Sequence, residues 1–241
     1  MADATDILDL ADRQYEALAL NARATATDVQ TLWRQLPTPN TPGFRTAVRE
    51  ITPAISDRIT VGQFASIRTA EGFFRAQVAA QNGLADMSVE PSRLLAPTVN
   101  LIGDIEQAAD HAAYMFYRKG VSPIQAQLAG LGRIVQTTAT NTQDAGREAV
   151  ALLSASTKSV HFQVRKLRVP SCKRCFQLAG RRSRSTAAFR RHPNCDCVNI
   201  PIGFDVDLTD ALRGNSNASL YIPPSNPFFG IKFPADVLHR L

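Results

Sequence analysis

From Thr5 to about Leu36 the apolar residues Ile7, Leu8, Leu10, Ala11, Leu18, Val29, Leu32 and Trp33 return mostly at helical spacing, and neither proline nor glycine interrupts them. That period predicts one long amphipathic helix over 1–36. Asp3, Asp6, Asp9, Asp12 and Glu16 suit the positive end of its dipole and read as solvation rather than as an acidic site. The segment Pro37-Thr38-Pro39-Asn40-Thr41-Pro42-Gly43 cannot continue the helix, because proline lacks an amide hydrogen and pushes the residue before it out of the helical region. A bend belongs there. Phe44 to Asn82 resumes the helical period, with a break expected near Pro53, a second candidate break at Gly62 and a stop at Asn82-Gly83. Ile102 to Lys119 presents Ile105, Ala108, Ala109, Ala112, Met115 and Phe116, with Gly120 as carboxyl cap. Pro123 to Leu153, rich in alanine, leucine and glutamine, reads as one or two further helices. Tyr114, Phe116, Tyr117 and His111 read as core positions rather than as a ligand-stacking cluster.

After Ser154 the period changes. Val160 to Val169 alternates apolar and polar side chains, the mark of a half-buried strand, and leads directly into a run of cysteines. Beyond Pro201 the chain carries Pro223-Pro224, Asn226-Pro227 and Phe233-Pro234, together with Tyr221, Phe228 and Phe229. Stiff proline segments with large aromatic anchors are poor at building their own core and good at lying along another protein. The fold class expected is mainly α, built from long helices, with a small α+β zinc-binding module near the C-terminus and an extended C-terminal arm. The expected divisions are a long N-terminal helix over 1–36, a helical domain over 43–156, the module over 157–201 and a docking arm over 202–241.

The net charge of +6 is less informative than its distribution. Between Glu148 and Asp196 there is no acidic residue, whereas Lys158, Arg165, Lys166, Arg168, Lys173, Arg174, Arg181, Arg182, Arg184, Arg190 and Arg191 are basic. Of the 27 basic residues those eleven fall here, which leaves 16 against 21 acidic ones elsewhere. Such segregation creates a positive field able to attract nucleic acid or an acidic protein surface. Apart from Lys158, these cations are the candidate nucleic-acid contacts. No stretch approaches the roughly 18 apolar residues of a membrane span, and the acidic start lacks the basic residues of a signal peptide, so the chain is expected to be made and kept in a cytoplasm.

In a reducing compartment, four cysteines within 26 residues read as metal ligands rather than as disulfides. The pattern is Cys172-x2-Cys175, then His192-Pro193-Asn194-Cys195-Asp196-Cys197. Two intervening residues let a tight turn aim both ligands at one tetrahedral metal. Cys172, Cys175 and Cys195 form the secure part of the set, while His192 and Cys197 compete for the fourth place and the loser supports the site from outside it. The alternatives are reduced, buried cysteines acting as small apolar residues, and a redox dithiol at Cys172 and Cys175. Against the dithiol stand Gly180 and the arginine run, which interrupt the helix such a motif should open.

Ala145-Gly146-Arg147-Glu148-Ala149-Val150, the strand through Arg165, Cys172-x2-Cys175-Phe176-x-Leu178-Ala179-Gly180-Arg181 and Phe189 through Cys197 resemble the phage Mu F-like minor head protein family. The resemblance covers roughly 107–201 and is specific from Ala145 onward. It implies a minor capsid component encoded beside the portal, present in few copies and acting in head assembly and genome delivery. It also implies residence in the virion head, with the portal protein or major capsid protein as partner and packaged double-stranded DNA as a further contact. Many relatives have arginine where this chain has Asp196, which leaves the sulfurs in place. Others continue into a protease or toxin domain, whereas this chain ends 44 residues after Cys197.

The functional expectation is therefore a virion structural protein with a structural zinc ion, no small-molecule substrate and no membrane contact. The alternative is a zinc-stabilised nucleic-acid-binding protein. An enzyme is not expected. A catalytic zinc needs an open position and a nearby base, whereas here four or five strong ligands close the site and only Asp196 offers a carboxylate close by. Ser154, Ser156, Ser159, Ser171 and His161 read as ordinary polar positions.

Overall fold

The computed structural model describes residues 4–81, 95, 98–167, 177–187, 197–208 and 211–212. Four helices, α1 (Ala4–Trp33), α2 (Phe44–Ala80), α3 (Thr98–Lys119) and α4 (Pro123–Ser156), precede a small sheet of β1 (Phe162–Lys166), β2 (Arg182–Arg184) and β3 (Val198–Ile202). The protein is thus mainly helical with a minor sheet. Among the described residues no helix is long and apolar enough to cross a membrane.

Local chemistry sets the end of α3 and the start of α4. Gly120, with φ of 67°, closes α3 as expected, its amide donating to the Phe116 carbonyl at 3.2 Å. Ser122 opens α4 with a capping box: its hydroxyl accepts from the Gln125 amide at 3.3 Å, and its own amide donates to Gln125 Oε1 at 3.1 Å. Such a cap stabilises a helix by about 1 kcal/mol, and with Pro123 in the first turn it starts a single helix, not two.

The expected breaks in α2 do not occur. Pro53 lies on the exposed face, so the Arg49 carbonyl that loses its helical partner is turned toward water, while Val48, Ile55 and Ile59 on the opposite face share one core. Gly62 is a contact rather than a break. A Cβ there would stand 2.1 Å from Thr25 Oγ1, so the absent side chain is what lets α1 and α2 approach. Gly146 plays the same part between α4 and α1, where a Cβ would meet Leu18 Cδ2 at 2.6 Å.

Two apolar clusters fill the bundle. The first joins Ala26, Val29 and Trp33 to Val48, Ile55, Ile59, Leu101, Ile105, Ile134 and Val135, and the second joins Leu18 to Ile67, Phe74, Ala149 and Leu153. Complete burial of one large apolar side chain contributes roughly 1.5–3 kcal/mol. Between the clusters three of the helices supply buried polar residues: Thr25 from α1, Gln63 and Ser66 from α2, Thr138 and Thr142 from α4. The first helix belongs to both clusters, so it is packed into the helical domain rather than set apart from it. Tyr114 and Tyr117, expected in the core, are exposed, and Tyr117 reaches back to the Pro39 carbonyl at 3.4 Å.

The sheet runs β2-β1-β3 with both pairs antiparallel, so β1 is the central strand. Val164, Val198, Ile200 and Ile202 pack against Ile7 and Ala11 of α1. Two polar clamps fasten this contact. Lys166 Nζ lies 2.8 Å from Asp12 Oδ2 and donates to the Leu8 carbonyl at 3.0 Å. At the other end of β3, the Gln81 amide donates to the Pro201 carbonyl and accepts from the Gly203 amide, both at 2.9 Å.

Two expectations change here. From Gln163 to Lys166, β1 is buried at every position rather than on one face, because strands flank it on both sides and polar partners cover its second face. The proposed docking arm also begins too early. Ile202, Leu208 and Leu212 are buried in the cluster that includes Ile7, so those positions belong to the protein's own core. Tyr221, Phe228, Phe229 and Phe233 lie outside the described residues.

Candidate metal centre and basic surface

The sheet's strict alternation separates two chemistries. Phe162, Val164 and Lys166 point toward α1, and Gln163 and Arg165 point the other way. The register pairs Gln163 with Pro201 and Arg165 with Asn199, so Cys197 and Asn199 share the face of Gln163 and Arg165. All four are buried: Gln163 is 1% exposed, Arg165 7%, Cys197 0% and Asn199 3%. Asn199 Nδ2 donates to Gln163 Oε1, and the Gln163 amide nitrogen donates to the carbonyls of Arg184 and Ala187. Arg165 Nη1 donates to Cys197 Sγ at 3.2 Å.

Of the five expected metal ligands, Cys197 is the one among the described residues; Cys172, Cys175, His192 and Cys195 lie outside them. Among the described residues no group of three or more His, Cys, Asp or Glu side chains is placed to hold a metal ion. The frame around the cysteine segment is nevertheless defined. Beside β1, Ala179 bridges to Arg165 and the Gly180 amide donates to the Arg165 carbonyl at 3.1 Å. Gly180 turns the chain into β2 with φ of 67°. Cys197, next to the Val198 that pairs with Lys166, stands at that same end of the sheet. Lys166 and Ala179, the nearest of these described positions on either side of 168–176, therefore lie at the end of the sheet where Cys197 is buried.

The basic candidates divide. Arg165 and Lys166, expected at a nucleic-acid surface, are turned inward to Cys197 and to Asp12, and do not belong to an exposed patch. Arg182 is held within the chain: its guanidinium donates to the Val206 carbonyl at 2.7 Å, lies 3.3 Å from Asp207 and sits over the Phe162 ring. Arg181 and Arg184 are exposed. Arg168, Lys173, Arg174, Arg190 and Arg191 lie outside the described residues, as does Ser171. Ser154 and Ser156 donate to the backbone carbonyls one turn earlier in α4, and His161 stacks edge-on against the exposed Phe204. The polar face made by Gln163 and Asn199 was legible only as polar positions alternating in a strand. Their pairing depends on a register between segments 36 residues apart. Against known proteins, the chain matches no family model, no curated sequence and no solved structure.

Proposed function

We propose that the chain is a minor head protein of a tailed bacteriophage, held at the portal or the capsid interior, whose cysteine segment folds around a structural zinc ion. The observation that carries this reading is the spacing Cys172-x2-Cys175 and His192-x2-Cys195-x-Cys197 within the segment that resembles the Mu F-like module. The burial of Cys197 against Arg165, the residue to which Ala179 bridges, supports it. When bound, zinc supplies a cross-link that a short, loop-rich segment lacks in its own apolar core. The ligands would be drawn from Cys172, Cys175, Cys195, Cys197 and His192.

Elemental analysis of the purified chain is expected to give about one zinc per molecule. Cross-linking within intact particles is expected to join the helical region to the portal or major capsid protein. Metal-free protein would remove the zinc half of the reading, and particles without the chain would remove the virion half. A nucleic-acid-binding role is favoured by exposed Arg181 and Arg184. In that case replacing both with glutamine reduces the steepness of DNA binding against salt by about 0.9 for each lost phosphate contact. An unchanged slope argues that the positive field serves a protein partner.

A further inference from the structure

Among the described residues the most exposed large apolar side chain is Phe204, 68% open to solvent just past the end of β3. Its ring belongs to a surface cluster. It meets the exposed His161 ring edge-on at 5.6 Å and the half-buried Phe162 ring at 5.9 Å, and the Arg182 guanidinium lies 5.7 Å from the centre of the Phe162 ring. Backbone contacts bring further cations to this end of the sheet. The Ser185 amide donates to the His161 carbonyl at 3.0 Å, and Arg184 stands opposite Phe162 in the strand register. A Cβ on Gly203 would meet the Ser159 carbonyl at 3.4 Å, so Lys158 and Phe204 leave neighbouring positions. Lys158 and Arg184 are exposed, Arg182 is paired with Asp207, and Asp205 is the exposed carboxylate next to Phe204.

Contiguous rings at a surface mark a contact, unlike a single exposed apolar residue. The charge around them indicates the partner. The cations come from a stretch, between Glu148 and Asp196, that contains no carboxylate. A single nucleic-acid strand offers the complementary surface, a flat base to stack on a ring and a phosphate on either side of it. A duplex does not, because its bases are already stacked and paired inside the helix. We propose that His161 and Phe204 form a stacking platform for an unpaired nucleobase, with Arg184 and Lys158 meeting the adjoining phosphates. The inference rests on the nucleic-acid reading above and names its ligand class as single-stranded nucleic acid.

The test uses the full-length chain with oligothymidylate, alone and as a duplex with its complement. Phe204→Trp keeps a ring at the platform, and the chain's one tryptophan, Trp33, is fully buried, so quenching of the added indole reports stacking. The single strand is expected to quench that emission and the duplex to leave it unchanged. Phe204→Leu keeps an apolar side chain without the ring. It should weaken single-strand binding about 5–100-fold and leave duplex binding as it was. Arg184→Gln should reduce the steepness of single-strand binding against salt by about 0.7. Unchanged single-strand affinity in Phe204→Leu, or indole emission unmoved by a bound strand, overturns the platform and leaves the nucleic-acid reading standing. If Phe204→Leu instead loses only its cross-links to portal or capsid protein, the ring serves a protein partner and the proposal fails. A wild-type chain that binds neither strand nor duplex overturns the nucleic-acid reading, and this inference with it.

Discussion

In the helical bundle, buried polar residues interrupt an apolar core; in the sheet, buried polar residues gather on one face of β1 and β3. Along α1, α2 and α4 the polar positions Thr25, Gln63, Ser66, Thr138 and Thr142 separate two apolar clusters, which supply the packing on either side. In the sheet, Val164, Val198, Ile200 and Ile202 face Ile7 and Ala11 of α1, while Gln163, Arg165, Cys197 and Asn199 lie on the other face. The bundle is stabilised by area removed from water and by close helix contact. The sheet depends on directional bonds between segments distant in sequence. That difference teaches what each region rests on: apolar packing is non-directional, whereas buried polar groups must each be met by a partner.

The comparison can be broken most forcefully in the bundle. Trp33 is fully buried and its Cζ2 lies where a Cβ on Gly130 would stand 2.8 Å away, so Trp33→Ala should cost about 3–5 kcal/mol. Urea unfolding followed by circular dichroism measures it, and a loss under 1 kcal/mol would show that the first cluster is not the seat of stability. Gly62→Ala comes next, at about 1–3 kcal/mol, because its Cβ would overlap the Thr25 side chain, whose hydroxyl is already bonded to the Asn21 carbonyl. The control is Gly72→Ala, where nothing lies within 4 Å and helix propensity alone should stabilise by about 0.5–1 kcal/mol. Equal effects at the two glycines would deny the close approach.

A substitution at the seam between the regions sharpens the contrast. Lys166→Met removes both the ion pair to Asp12 and the bond to the Leu8 carbonyl, and should cost about 1–2 kcal/mol, since Asp12 stays partly hydrated. Hydrogen exchange should locate that loss in β1 and the start of α1; uniform loss through all four helices would mean that the sheet is not a separable layer. The smallest effect concerns pH. Burial first, and the neighbouring Arg133 second, hold His111 below the ordinary histidine range. The unfolded chain therefore binds the proton first, so the associated stability is present above about pH 6.5 and is lost as pH falls through the folded-state value. His111→Gln should flatten the acid side of the stability profile slightly, and an identical profile would remove His111 from the account.

Much of the bundle was legible in the chain. The period of Ile7 through Trp33, the proline segment at 37–42 and Gly120 marked α1, the bend and the end of α3, because each acts through neighbours within a turn or two. The capping box at Ser122 and Gln125 is equally local and marks the start of α4, but the sequence left one or two helices open beyond it. Pro53 misled because a helix break is a local tendency, and here a solvent-facing carbonyl and a shared core on the opposite face outweighed it. For the candidate site, spacing alone singled out the cysteine segment and composition singled out its cations.

What the sequence determined by itself was therefore the helical periods, their local ends and the grouping of cysteines with positive charge, all of which are properties of residues close in the chain. Only the tertiary structure decided that Gly62 is a crossing point, that Val198, Ile200, Ile202, Leu208 and Leu212 contribute to the core, and that Arg165 and Lys166 turn inward. Those outcomes depend on strand register and helix approach. Sliding β3 by one residue would exchange Asn199 for Val198 on the polar face, and no feature within either strand records which partner it will meet.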